Sequence, residues 1–287
     1  MQWNKIKLTF ILAFLVLNVY LVFQLFPQEE TEQTVLETES QAAVLDSVKG
    51  YKELSDQQTD TNQQYEATKF HFTEDELDKV PNRDKMNFDI SSGSNTQLKA
   101  TFKEPQDLHV EFPIDDDNKQ ALEELNGFIN DHVLFAEEYT YWGRQGNQLM
   151  FFQKINQGQT YFSPDSLLLV TINEDYEVVE YTQTYIKDFK KLEESEDQDL
   201  KQYSEKQAVQ ALQSQQLIES NDTIKVEKGF YPTIELSSKP NYAPAYMITV
   251  NNEKHYFYLL LPDYPYIYAP TESGFLSSLQ PETEETQ

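Results

Sequence analysis

The residues best suited to chemistry are few and poorly spaced for it. Histidine occurs at His71, His109, His132 and His255, with no two at the separation of a metal-binding pair and no HExxH segment. Cysteine is absent, which removes thiol catalysis and disulfide bonding together. No GxSxG elbow, SxxK pair or glycine-rich phosphate loop occurs, and 8 glycines leave little material for such loops. No catalytic residue, cofactor site or metal ligand is therefore expected, and the chain reads as a protein that is not an enzyme. The run Asp115, Asp116, Asp117, Asn118 lacks the central Gly and terminal Glu of a calcium loop. It suits a helix start, where carboxylates cap the first turn and meet the positive end of the dipole. Two carboxylates facing across a cleft need no sequence signature, so a membrane-tethered wall hydrolase or a substrate-binding protein stands as the alternative.

Contact, rather than catalysis, is what the remaining motifs suit. The run YFYLLLPDYPYIYAP from Tyr256 ends in Tyr264, Tyr266 and Tyr268 beside prolines. Rigid rings with polar tips bury area at low entropy cost, which makes these three candidate partner-binding residues. A second candidate set lies in residues 8–26, nineteen positions without a charge. As a helix this run spans about 30 Å, the thickness of a bilayer's hydrocarbon core. Leu8, Ile11, Leu15, Asn18, Val22 and Leu25 recur at alternating spacings of three and four, which align on one helix face. An amide in hydrocarbon is costly without a partner, so Asn18 either meets a neighbouring helix or bonds its own backbone.

Lys5 and Lys7 precede the run, and Glu29, Glu30 and Glu32 follow it. By the positive-inside rule residues 1–7 form a cytoplasmic leader, residues 8–26 a single transmembrane helix, and everything after Pro27 is extracytoplasmic. No small-x-small cleavage site follows the apolar run, so a retained anchor at the cell membrane is expected rather than a signal peptide.

The formal charge is −27, and the whole excess falls after residue 30. Such a surface repels phosphate backbones, which excludes nucleic acid as a partner. With 18 Tyr and 18 Phe, the chain is rich in residues that pack on pleated surfaces, so much sheet is expected.

The elements arrange as an α+β protein. Residues 27–64 read as a polar juxtamembrane spacer, 65–190 as a first extracytoplasmic module, 200–270 as a second, and 271–287 as a disordered acidic tail. In the first module, strands are expected at Phe70–Phe72, Leu98–Phe102, Leu108–Phe112, Tyr139–Trp142, Leu149–Ile155 and Leu167–Ile172, the last turning at Asn173 into Tyr176–Ile186. Its helix runs through Ala121, Leu125 and Ile129, with Asp117 and Gln120 as a capping box. In the second, Ser204 and Gln207 cap a helix bearing Ala208, Val209 and Leu212, and strands follow at Ile224–Phe230, Ala245–Val250 and Tyr256–Leu261. Both modules place a capped helix before an Asn-centred hairpin, which suggests two similar helix-plus-antiparallel-sheet units.

The opening WNKIKLTFILAFLVLNVYLVFQ from Trp3 resembles the start of the YycI, or WalI, proteins of Gram-positive bacteria. The segments YKELSDQQ from Tyr51, INEDYEVVEYTQTY from Ile172 and APAYMITVNNEKHYFY from Ala243 are similar in kind to that family's later blocks, and the second module resembles PepSY-type modules. The resemblance implies a non-catalytic accessory regulator that pairs with a YycH-like protein as a heterodimer. It also implies contact with a WalK-type sensor histidine kinase through membrane helices, in a two-component system controlling cell-wall metabolism. The acidic spacer departs from the family pattern.

Overall fold

Alternation of side chains builds the strands. Between Gln97 and Asp107, Leu98, Ala100 and Phe102 are buried while Gln97, Lys99, Thr101 and Lys103 are exposed. That is the period of a strand with one dry face.

The computed structural model describes residues 14, 42–60, 64–110, 112–114, 118–155, 158–192, 202–234, 239–261 and 265–279. The strands, in chain order, are β1 (Thr59–Asp60), β2 (Tyr65–Lys69), β3 (Met86–Ile90), β4 (Gln97–Asp107), β5 (Tyr139–Gln145), β6 (Gln148–Ile155), β7 (Gly158–Thr160), β8 (Leu167–Ile172), β9 (Glu177–Thr184), β10 (Ile186–Lys191), β11 (Gln202–Tyr203), β12 (Ile224–Ile234), β13 (Asn241–Val250), β14 (Lys254–Leu259) and β15 (Tyr266–Tyr268). The helices are α1 (Glu74–Leu77), α2 (Lys119–Asn130), α3 (Glu205–Ser214) and α4 (Glu272–Ser278). All of these lie in the unit Ser47–Gln287; residues up to Asp46 form a separate unit, of which 42–46 are helical.

In one half of the sheet, β6 carries β5 on one edge and β8 on the other, and β9, β4 and β3 continue antiparallel. Asn118 caps α2 by accepting a hydrogen bond from the Ala121 amide. The helix then lays Ala121, Leu125 and Ile129, one face at spacings of four, on a core that includes Leu98, Phe151, Val170 and Tyr181. In the other half, β13 pairs with β12 along one edge and divides its second edge between β2 and β14. Nine of its ten residues are buried because both faces are covered. Ala245 and Met247 join Phe152, Phe162 and Phe257 on one side. Tyr246, pointing the other way in the pleat, donates its hydroxyl proton to the Tyr203 carbonyl and lies in hydrogen-bond contact with the Thr59 hydroxyl in the β1–β11 ribbon. Ser204 and Gln207 form the expected capping box of α3, which buries Ala208, Val209 and Leu212.

The halves meet through β7. It leaves β6 by a tight hairpin and pairs in parallel with β12, placing Gly229 opposite Gln159 and Phe230 opposite Thr160. A Cβ on Gly229 would lie 2.3 Å from a Tyr161 ring carbon and 2.6 Å from the Gln159 carbonyl oxygen. Only a glycine permits that approach.

This architecture corrects the expected one. Strand residues outnumber helical ones about two to one, and the strands form one large mixed sheet instead of two similar PepSY-like helix-plus-antiparallel-sheet modules. The physical reason is long-range pairing: β7 crosses to β12, and β2 bridges β10 and β13, joining stretches that local periodicity had assigned to separate units. The fold class with one leading transmembrane helix is likewise not what the structure presents, since no helix among the described residues is long and apolar enough to cross a membrane. The run 8–26 lies, Phe14 apart, outside the described residues. Smaller corrections are local. The cap of α2 is Asn118 rather than Asp117, because the Asn118 side chain reaches the Ala121 amide. The strand expected at Leu108–Phe112 is replaced by one that ends at Asp107, where His109 turns the chain with a φ of 54°. Residues 272–278, expected within a disordered tail, form α4 because Thr271 caps them and Phe275 and Leu279 find an apolar seat.

Candidate partner-binding surface

Two of the three predicted tyrosines come together on an edge strand. In β15, Tyr268 lies opposite Phe257, Ile267 opposite Tyr258 and Tyr266 opposite Leu259 of β14, and no strand among the described residues lies on its other side. The period of two puts Tyr266 and Tyr268 on one face, where their rings lie 6.5 Å apart and 28° from parallel. Tyr268 meets Tyr231 edge-on at 5.5 Å, and Tyr231 packs on the buried Phe257 at 5.4 Å. An aromatic stack thus runs from the core to two tyrosines that are 51% and 39% exposed.

Edge strands are commonly protected by charge. β10 follows that pattern with Lys187, Lys190 and Lys191, whereas β15 carries only Tyr, Ile and Tyr. Its backbone polar groups and ring faces are the features that an added strand from a partner uses. Tyr264 and the predicted residues Leu8, Ile11, Leu15, Asn18, Val22 and Leu25 lie outside the described residues; Phe14, among the latter in sequence, is helical and 67% exposed.

The sequence reading missed a second patch. The Arg144 guanidinium sits 4.8 Å from the Phe112 ring centre and 5.0 Å from that of Tyr176, and the two rings are 5.4 Å apart. Tyr176 is presented with a φ of 63° at the β8–β9 turn, which Asn173 holds by accepting hydrogen bonds from the Asp175 and Glu177 amides. Arg and Tyr are enriched where binding energy concentrates. Phe112 lies in the segment after β4, Arg144 near the end of β5 and Tyr176 in the β8–β9 turn, and no sequence signal links them.

The histidines are occupied locally. The imidazole Nδ1 of His71 lies 2.8 Å from the Ser94 carbonyl, His109 stands beside Asp107 at 3.0 Å, and His255 is 3.2 Å from the Thr249 hydroxyl, its ring tilted against that of Trp142 at 4.7 Å. His132 is buried; its Nδ1 donates to the Phe128 carbonyl, and burial pushes its pKa below the usual imidazole value. Among the described residues no group of three or more His, Cys, Asp or Glu stands close enough to hold a metal. The buried tyrosines serve as donors: Tyr139 to the Thr184 carbonyl and Tyr181 to the His132 carbonyl. Burial raises the pKa of both, and that of Tyr141 to about 12 against the opposing Arg144 charge.

A groove of about 510 Å³ runs along Ser91, Thr96, Thr182, Thr184, Leu167 and Leu279. The carboxylate lining it, Asp165, is ion-paired with Lys69 at 2.7 Å. One carboxylate held by a lysine does not supply the acid and base pair that glycoside hydrolysis uses.

A family model described as YycI protein matches residues 22–259 of the chain. No curated protein matches. Among solved structures, an uncharacterized protein from Eubacterium rectale ATCC 33656 is similar at 8% identity with a TM-score of 0.33, covering 72% of this chain and 81% of that one.

Proposed function

The chain belongs to the YycI family of regulatory accessory proteins, and from that premise we propose that it is a non-catalytic regulator of a WalK-type sensor histidine kinase, acting with a YycH-like partner. The observation that carries the reading is the family match over residues 22–259. The exposed, uncharged tyrosine edge of β15 supports it, because that edge offers both a strand template and aromatic anchors to a second protein. We place the YycH-like partner there, with Arg144, Phe112 and Tyr176 as a further contact.

The location we propose is the cell membrane, with the acidic bulk outside the cytoplasm. Support comes from the charge asymmetry around residues 8–26, with Lys5 and Lys7 before the run and Glu29 and Glu30 after it. Asn18 is then the position from which contact with the kinase is sought. Whether the regulator raises or lowers kinase output depends on which kinase state its contacts favour.

The experiment is photocrosslinking in native membranes from positions 18, 266 and 268, together with kinase phosphorylation in a deletion strain. Capture of the kinase from position 18 and of the YycH-like protein from 266 or 268, with altered phosphorylation on deletion, is the expected result. A chain that crosslinks to neither, in cells whose kinase output is unchanged by deletion, sinks the reading. Wall polymer cleared by the purified chain would favour the hydrolase instead.

A further inference from the structure

We infer that a notch between β13 and the β1–β11 ribbon is a binding site for a small carboxylate with one flat apolar ring. The notch follows from strand pairing. β2 pairs with Asn241 and Tyr242 of β13, and β14 takes over from Ala245 onward. Between them stands Pro244, which has no N–H to offer a strand and whose carbonyl accepts from the Leu260 amide at 3.0 Å. The sheet is open at this point, and a cavity of about 300 Å³ lies there. Phe230 and Lys228 stand opposite Pro244 and Tyr246 in the β12–β13 register, which puts all four on the cavity's face of the sheet. Phe230, Pro244, Tyr246 and Leu260 make a buried floor. Tyr65 forms a wall, its ring edge-on to Phe230 at 4.9 Å. The ribbon closes the far side, where the Thr59 hydroxyl and the Tyr203 carbonyl hold the Tyr246 hydroxyl.

Lys228 is the charged side chain among the described lining residues, and it sets the ligand's polar end. Its ammonium lies 5.8 Å from the Tyr246 ring centre and 3.9 Å from Glu205 Oε1, the latter beyond hydrogen-bond reach. The other Glu205 oxygen is already engaged, accepting from the Ser55 amide at 2.9 Å. Among the described residues no acceptor lies within hydrogen-bond distance of the Lys228 ammonium, so its donors are open to a ligand at the mouth. Lys191, exposed and opposite Tyr65 in the β10–β2 register, adds positive charge on the face that carries Tyr65.

A dry, partly aromatic floor with a few polar groups at the rim is the usual construction of a small-molecule site, and the volume falls at the low end of the range of about 300–1,000 Å³. That size suits one ring and a short side arm. The ring meets Tyr65, Phe230 and Pro244, and the carboxylate meets Lys228. The formal charge of −27 does not bar an anion, because its field is screened within about 8–10 Å and the nearest groups decide. A ligand so placed touches both ribbon and sheet, and therefore ties β1 and β11 to β12 and β13. The site stands independently of which kinase or partner protein the chain serves.

The test uses the full chain in detergent, with isotope-labelled leucine methyl groups and phenylacetate as the probe. Saturable shifts of the Leu260 methyl signals, with a dissociation constant below about 1 mM, are expected. Phenylacetamide, which keeps the shape and loses the charge, should bind at least about tenfold more weakly. Lys228→Gln should weaken phenylacetate by a similar factor while unfolding at the parent's temperature, because Lys228 is exposed. Lys225→Gln, on the opposite face of the same strand, should leave binding unchanged. Phenylacetate should also raise the unfolding temperature of the parent, and not that of Lys228→Gln. No saturable shift at Leu260 up to about 10 mM phenylacetate overturns the proposal. So does equal binding of the amide, or a loss in Lys225→Gln as large as in Lys228→Gln, since attraction would then be diffuse.

Discussion

Gln153 clasps the main chain of Ile186 with both ends of its side-chain amide: Oε1 accepts from the Ile186 amide at 3.0 Å and Nε2 donates to the Ile186 carbonyl at 2.9 Å. Both residues are 1% exposed. Ile186 opens β10, where the chain passes from the half of the sheet containing β9 to the half containing β2. A glutamine in β6 thus supplies the pairing that a neighbouring strand would otherwise provide, and buried backbone groups require such partners.

Gln153→Leu should therefore strand a donor and an acceptor in the interior. At roughly 1–3 kcal/mol for each of the two unsatisfied groups, a loss of about 2–6 kcal/mol is expected. Denaturant unfolding measures it, and hydrogen exchange at the Ile186 amide should accelerate in step. A variant as stable as the parent would show that water replaces the clasp.

Two glycines should respond to alanine with opposite signs. Gly229→Ala drives a methyl group into Tyr161 and the Gln159 carbonyl and should cost about 1–3 kcal/mol. Gly127→Ala, inside α2 with nothing within 4 Å of the new Cβ, should stabilise by about 0.5–1 kcal/mol. Paired unfolding midpoints check both.

His132 should make the fold acid-sensitive. Its folded pKa lies below the ordinary value of 6.5 because burial penalises the imidazolium. The unfolded chain therefore takes up the proton first. Stability associated with this residue is complete above pH 6.5 and falls as pH drops toward the folded pKa, by at most about 1.4 kcal/mol per pH unit. His132→Leu removes that slope, so the stability gap between parent and variant should narrow below pH 6.5 and stay constant above it. A gap that is the same on both sides would contradict the assignment.

Removing the two exposed rings of β15 should affect association more than folding. Tyr266→Ala with Tyr268→Ala should weaken binding of a YycH-like protein by about 2 kcal/mol or more, the scale of central aromatic anchors. The unfolding midpoint should hardly move, because both rings are substantially exposed. Calorimetric titration and thermal unfolding on the same samples separate the two effects.

Local signals were legible in the sequence because they need only neighbours. The Ser204 and Gln207 capping box, the Asn173 turn, and the alternation through Leu98, Ala100 and Phe102 each act within a few residues. The tyrosines at 266 and 268 were visible for the same reason, as were the lack of cysteine and the acidic balance. Tertiary structure alone decided that β7 pairs with β12 in parallel, that β2 joins β10 to β13, that Arg144 lies between Phe112 and Tyr176, and that α4 finds a seat under Trp142. Which strand lies beside which depends on burial and register across more than a hundred residues at some of these contacts, such as Trp142 with Glu272. Periodicity reports which face of a strand is dry, and leaves open what dries it.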